Sequence, residues 1–288
     1  MILINDKNIL NIRYRSGIMR ILNERGVAFI GLGVFDNFTS FTKILYFILF
    51  TNKNLLSSNM KSNLLCLVFF WRSGTIIING LGRYKRNVKF RNLLRVLFKL
   101  NSKKNIVFQN YSDYRYFSLF LNRSFYWVPG SGGIERVSGS SDGITIVSRM
   151  DKIVSCKDSI LSLVNSIPKD QNIYIVGCNK SQITELFNHK SIIGCGYVDQ
   201  LDIFMHSNHF FNPSGYGEGV PHALVDAICS SIEIILPKKD YISFGFYKLG
   251  FGYSELVGGF VQLIYGTDQS CILRESIIAQ KYLDIVDC

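Results

Sequence analysis

Between residues 144 and 236, short runs of β-branched residues alternate with segments of helical period, and this alternation narrows the fold more than any other feature. Ile144–Val147 reads as a strand and 155–166 as a helix. Residues 172–176 form the next strand, ending at Gly177, followed by a short helix over 181–188 and a short strand over 191–193. Residues 199–206 read as a turn or helix, 209–212 as a strand, 221–229 as a helix and 232–236 as the following strand. A strand that returns to its sheet through a helix pairs in parallel, so the pattern predicts a parallel sheet covered on both faces.

The first half is read in the same way. After an apolar stretch at 1–4, a helix is expected over 15–25, stopped by Gly26, where a left-handed cap costs little. Residues 27–32 read as a strand, and 41–56 and 88–100 as helices. The runs 64–70, 75–78 and 106–108 resemble buried strands. Composition then changes at Pro129, Gly130, Ser131, Gly132 and Gly133, and again at Ser138, Gly139, Ser140, Ser141, Asp142 and Gly143. This is the natural joint, and the expected domains are 1–137 and 138–288. The implied class is α/β, two Rossmann-like domains facing across a cleft, a usual place for ligands.

With 48% hydrophobic and 18% charged residues in 288, the chain can bury a core and is not of the disordered class. Its longest apolar runs, 44–50 and 64–71, fall well short of the roughly 18 residues of a spanning helix. Residues 1–10 lack the basic start and apolar run of a secretion signal. Seven scattered cysteines without a CxxC pair predict neither a disulfide framework nor a structural zinc site. A cytosolic location is expected.

The formal charge of +11 is unevenly divided: residues 1–144 hold 21 Lys or Arg against 6 Asp or Glu, and residues 145–288 hold 11 against 15. From Arg83 to Lys104 there are nine basic residues and no acidic one, interleaved at roughly helical spacing with Phe90, Leu93, Leu94, Leu97, Phe98 and Leu100. Either a basic amphipathic helix lies on a phosphate-bearing surface, or a core-packed helix turns its basic side to water. An anionic membrane surface is the expected partner. No nucleic-acid motif accompanies the charge, so nucleic-acid binding is an alternative that rests on charge alone.

The densest chemistry lies at 212–229. A buried strand ends at Asn212, and a glycine-rich loop, Pro213-Ser214-Gly215-Tyr216-Gly217-Glu218-Gly219-Val220, leads to Pro221. Pro221 suits the first turn of a helix, whose unpaired amides form an anion site fit for a diphosphate. Glu218 sits just before that turn, and Asp226 lies two helical turns further on. A loop carboxylate can reach into a cleft, whereas one fixed on a helix can hold a set pattern of hydroxyls.

This stretch resembles the signature of the retaining, two-Rossmann-domain (GT-B) glycosyltransferases of family 4, written approximately PSxxEGxPxxLxEA. It supplies Pro213, Ser214, Glu218, Gly219, Pro221, Leu224 and Ala227, with Asp226 where a second Glu is common. Gly80-Leu81-Gly82 resembles the family's TGLG turn, Phe108-Gln109-Asn110 with Asp113 its FQNxxD segment, and Val128-Pro129-Gly130-Ser131-Gly132 its xPGSG turn. Asn11-Ile12-Arg13 resembles its NFR opening, and Arg149, after the strand at 144–147, its GRL.

The resemblance implies transfer of a hexose-type sugar from a nucleotide-sugar donor to a lipid-linked or growing polysaccharide acceptor, as in lipopolysaccharide or capsule assembly. Glu218 and Arg149 take the catalytic roles. Arg149, Lys152, Gly219, Val220 and Asp226 bind the donor, with Asp226 at its ribose hydroxyls. Arg13 and Asn110 stand on the acceptor side. Departures accompany these matches: the family's Lys about five residues after the Arg is replaced by Lys152 or Lys157, and no histidine occurs in the first half. The chain is also short for the architecture, which leaves a catalytically impaired relative acting as a binding partner as an alternative. No DxD-like pair precedes a strand in a suitable context, and a basic phosphate site can replace a divalent ion. The expectation is therefore metal-independent transfer without a cofactor, by a protein bound peripherally to the inner face of the cell membrane.

Overall fold

A computed structural model describes residues 1–137, 139, 142–168, 171–213 and 218–287, with the backbone alone at Arg83. Ser138, Ser140 and Ser141 of the expected joint, and Ser214 to Gly217 of the glycine-rich loop, lie outside the described residues. Two compact units emerge: Met1–Gly132, Tyr216–Val220 and Glu275–Cys288 form the first, and Gly133–Gly215 with Pro221–Arg274 the second. The chain thus leaves the first unit at 132/133, beside the joint read at 137/138, and its last helix packs with the first unit. That return is not visible in the sequence.

The first unit carries a six-stranded parallel sheet in the order β2-β1-β3-β4-β5-β6. Its strands are β1 (Ile2–Asn5), β2 (Ile30–Gly33), β3 (Leu55–Ser58), β4 (Gly74–Ile78), β5 (Lys104–Phe108) and β6 (Tyr126–Trp127). Helices α3 (Phe38–Phe50), α4 (Met60–Val68), α5 (Val88–Leu100) and α6 (Tyr111–Phe120) cover one face. There Ile44, Cys66, Leu94, Phe98 and Phe117 share a core with Ile2, Ile76 and Phe108. Helices α1 (Asn8–Tyr14), α2 (Ser16–Glu24) and α13 (Glu275–Asp287) belong to the opposite face. Gly26 closes α2 with φ +66°, the left-handed geometry expected of it.

Two expectations are corrected here. The run 64–70, read as a strand, lies mostly within α4; Cys66 and Leu67 are buried while Val68 stays 60% exposed. A seven-residue apolar run fits a buried strand and a buried helix equally, and only the neighbouring elements decide between them. The helix read over 41–56 ends at Phe50, and Leu55–Ser58 instead forms the strand between β1 and β4.

The second unit matches the sequence pattern closely. Its strands β7 (Ile144–Val147), β8 (Ile173–Val176), β9 (Ile192–Gly196), β10 (His209–Phe211) and β11 (Glu233–Pro237) are parallel. A hairpin, β12 (Gly252–Glu255) and β13 (Phe260–Ile264), adds antiparallel to β11 and completes the order β12-β13-β11-β10-β7-β8-β9. Helices α7 (Met150–Ser155), α8 (Lys157–Ser166) and α9 (Lys180–Phe187) bury Ile153, Ile160 and Ile183 against Ile144, Ile146 and Ile175. Helix α10 (His222–Cys229) packs on β11 and on α12 (Thr267–Ile272), and α11 (Lys238–Phe244) follows β11. Residues 199–206, read as a turn or helix, contain a single 3₁₀ turn at Gln200–Asp202.

The chain is therefore α/β with two parallel-dominated sheets and, among the described residues, thirteen α-helices. Among the parallel strands of each sheet the connections reverse direction once, between β1 and β3 in the first unit and between β7 and β10 in the second. Ligands of such sheets bind outside the strand carboxyl ends at these reversals. Among the described residues no helix is long and apolar enough to cross a membrane.

Candidate functional site

In the first unit the strand carboxyl ends carry amides. Asn5, closing β1, donates to the Ser58 hydroxyl at 2.9 Å and accepts from Asn59 at 2.6 Å. Asn79, just past β4, donates in turn to Asn59 and accepts from Arg15 at 3.1 Å. Arg15 also donates to the Ser131 hydroxyl at 2.9 Å and lies 5.4 Å from the centre of the Tyr282 ring. Only 1% of Arg15 is exposed, and no carboxylate reaches ion-pairing distance among the described residues. Burial lowers its pKa, the nearby tyrosines opposing this, and neutral acceptors alone hold the guanidinium. A cation so placed in a low dielectric makes this edge of the sheet attractive to anions.

Arg13, expected on the acceptor side, lies on the exposed face of α1 with its guanidinium 5.4 Å from the Tyr14 ring. Arg15, which the sequence reading passed over, points inward instead. Arg15 sits at the break between α1 and α2, and no local pattern marks it.

Glu218, Gly219 and Val220 pack within this unit. Glu218 bridges antiparallel to Gly80, Gly219 N–H donates to the Asn79 carbonyl, and Asn110 Nδ2 donates to the Glu218 carbonyl at 2.7 Å. Any Cβ at position 219 would stand 2.4 Å from the Asn79 oxygen and 2.8 Å from Gln109 Cβ. Gly80 has φ +130°, and a Cβ there would meet the Glu218 carbonyl carbon at 2.6 Å. Only glycine permits this approach. Three motifs far apart in sequence, around Gly80, Asn110 and Glu218, are thereby brought together, and Val220 is buried next to them.

Asn110 Oδ1 also accepts the Asp113 N–H at 3.2 Å, capping α6, and Asp113 accepts the Leu81 N–H at 3.1 Å. Burial pushes the Asp113 carboxyl up to about 6, against the opposing pull of Lys85, the Leu81 amide and Arg91.

In the second unit the reversal lies between β7 and β10. Arg149 occupies the N-cap of α7, two residues past β7, with its side chain 70% exposed and 3.5 Å from Asp151. Lys152 lies one turn further along α7, half-buried. Asn212, directly past β10, is 7% exposed, and its side-chain Nδ2 has no hydrogen-bond partner among the described residues.

Asp226, on α10, is also buried. Its Oδ1 accepts the Ile134 N–H at 2.8 Å, and its Oδ2 lies 3.3 Å from both Nε and a terminal nitrogen of Arg136. His222, one turn earlier, approaches Oδ1 at 3.8 Å. Arg136 did not figure in the sequence reading: ninety residues separate it from Asp226, and no local pattern links them.

No protein-family model matches the sequence, and no curated protein matches it. Solved structures do. Anabaena Alr3699/HepE in complex with UDP and glucose is 13% identical over 98% of this chain and 90% of its own, with a TM-score of 0.58. The UDP-forming α,α-trehalose-phosphate synthase of Burkholderia xenovorans is 9% identical over 99% and 98%, also at 0.58. S. aureus MnaA with UDP is 10% identical over 100% and 88%, at 0.52. At these identities the likeness concerns the fold, and the fold of this chain is the two-Rossmann GT-B type.

Proposed function

We propose that this protein is a glycosyltransferase that moves a hexose-type sugar from a nucleotide-sugar donor to a lipid-linked or growing polysaccharide acceptor, with retention. The observation that carries the donor half is the reversal between β7 and β10 with the buried amide of Asn212 beside it, unpaired among the described residues. An orphaned buried donor costs about 1–3 kcal/mol, which a polar ligand at that strand end would offset. The UDP held by Anabaena HepE and by S. aureus MnaA supports a nucleotide donor.

In this reading Arg149 and Lys152, with the first-turn amides of α10, neutralise the diphosphate as its charge develops. The anomeric C–O bond to the diphosphate breaks, a bond to an acceptor hydroxyl oxygen forms on the same face of the sugar, and the hydroxyl proton passes to the departing diphosphate. Glu218 stands beside the transferred sugar, and Gly219 and Val220 present backbone to it. Asp226 meets the ribose hydroxyls while Arg136 orients its carboxylate. Arg13 and Asn110 serve the acceptor. Transfer needs no metal, and the protein works on the inner membrane face in polysaccharide assembly, held through the basic run from Arg83 to Lys104.

The test couples calorimetric titration with UDP and GDP to transfer assays over a panel of UDP- and GDP-sugars with a lipid-linked acceptor. Glu218→Gln is expected to leave nucleotide affinity unchanged and lower turnover by about 10²–10³-fold. Undiminished turnover would refute the role of Glu218, and absence of nucleotide binding would refute the donor site.

A further inference from the structure

Helices α3 to α6 lie side by side on one face of the first sheet, each running back against the strands it joins. Their C-terminal ends therefore line one edge, and cations tie those ends together. Arg72, past α4, donates to the Asn52 side chain at 3.5 Å and the Lys53 carbonyl at 3.4 Å, both past α3. Lys104 Nζ joins the Phe69 carbonyl at 2.8 Å to Asn101 Oδ1 at 2.6 Å, linking α4 to α5. Arg123, past α6, donates to the carbonyls of Phe98 and Asn101 at 2.6 and 2.9 Å. These groups add donors to carbonyls at and just past the helix ends, and they offset the negative ends of the helix dipoles.

Along this edge large apolar side chains face water: Phe50 is 74% exposed, Phe70 50%, Trp71 49%, Leu100 54%, Leu119 73% and Phe120 57%. One exposed apolar residue is ordinary, but a group shared by four neighbouring helix ends marks an interaction surface. The segment that builds this face is charged almost wholly with one sign. Residues 37–134 contain fifteen Lys or Arg and a single acid, Asp113, which is buried. The run from Arg83 to Lys104 supplies only part of this surface, because Lys104 is buried and Arg91 and Arg95 lie 3.5 and 3.9 Å over the Tyr116 and Phe120 rings.

An apolar edge on a segment with fourteen more cations than acids and no exposed carboxylate between residues 37 and 134 complements an anionic bilayer, where aromatic rings settle at headgroup level and lysines meet phosphates. A second copy of this chain would bring two cationic edges together, and nucleic acid would leave the apolar side chains in water. We propose that this edge inserts into an anionic lipid surface, with Phe50, Trp71, Leu119 and Phe120 entering the interface and Lys53, Lys99 and Lys103 contacting headgroups. The inference deepens the membrane part of the proposed function and does not depend on the donor site.

The chain has two tryptophans, Trp71 on this edge and Trp127 on β6, so its own fluorescence reports insertion. The full chain would be mixed with vesicles of phosphatidylcholine alone or with added phosphatidylglycerol, with and without brominated acyl chains. A blue shift and bromine quenching are expected with the anionic vesicles only, kept in Trp127→Phe and lost in Trp71→Phe. Lys99→Gln with Lys103→Gln should weaken co-sedimentation about twenty-five-fold, at about fivefold per lysine, with circular dichroism unchanged. Equal binding to neutral vesicles overturns the proposal, as does binding without quenching, or a dimer that buries Trp71 without lipid. Indifference to both the lysine pair and Leu119→Ser/Phe120→Ser does the same. UDP affinity measured without vesicles reports the donor site separately, so either reading can fail alone.

Discussion

Replacing Asp226 with Asn separates two roles for this carboxylate. Its side chain is 7% exposed and that of Arg136 is 8% exposed, so the substitution leaves a guanidinium buried opposite an amide. Breaking a buried ion pair costs about 3–5 kcal/mol. Two features lower the figure here: the Arg136 contacts are long, at 3.3 Å, and Asn can still accept the 2.8 Å bond from Ile134 N–H. The expected loss is about 2–3 kcal/mol, and the corresponding drop in Tm is about 5–10 °C. Urea and thermal unfolding followed by circular dichroism would measure it. Adding Arg136→Met should recover much of the loss, since the stranded charge is then gone, and the double-mutant cycle gives the coupling. A Tm within about 1 °C of the parent, together with weakened nucleotide binding, would refute the structural role and leave Asp226 as a ligand contact only.

Three further outcomes are expected. Gly219→Ala places a methyl 2.4 Å from the Asn79 carbonyl oxygen, so it should cost about 1–3 kcal/mol and displace the Glu218 segment, visible as faster amide exchange at 218–220. Asp113 has a folded pKa of about 6, above its ordinary value of 3.8, so folding favours the neutral form. Its contribution is full below the unfolded value and disappears as pH rises through 6. The unfolding free energy from urea titration should therefore fall between pH 4 and 7, by up to about 2–3 kcal/mol from this group, and Asp113→Asn should flatten that slope. Sugar transfer should continue in excess chelator; a loss restored by a divalent cation would overturn the metal-independent reading.

The second half was legible because its signals are local. Each strand between 144 and 236 is a short β-branched run closed by turn residues, and its observed ends fall within a few residues of those read. The runs 41–56 and 64–70 carry no period over their length, so neither helix nor strand was favoured until β3 was seen between β1 and β4. The hairpin of β12 and β13 was not read at all, since its register is set by pairing with β11. At the candidate site the motifs around Gly80, Asn110 and Glu218 were visible as resemblances. That they meet, and that two glycines are required for it, follows only from backbone distances.

By itself the sequence determined the α/β class, two Rossmann-like sheets and most strand positions, because periodicity and turn chemistry act over a few residues. It also marked the stretch from Asn212 to Asp226 as the place to look. The tertiary structure alone decided that Arg15 rather than Arg13 turns inward, and that Arg136 holds Asp226. It also decided that the last helix packs with the first unit and that four helix ends gather exposed apolar side chains on one edge. Each of these joins side chains distant in sequence, and such partners are selected by close packing and by pairing of buried polar groups, which no local pattern encodes.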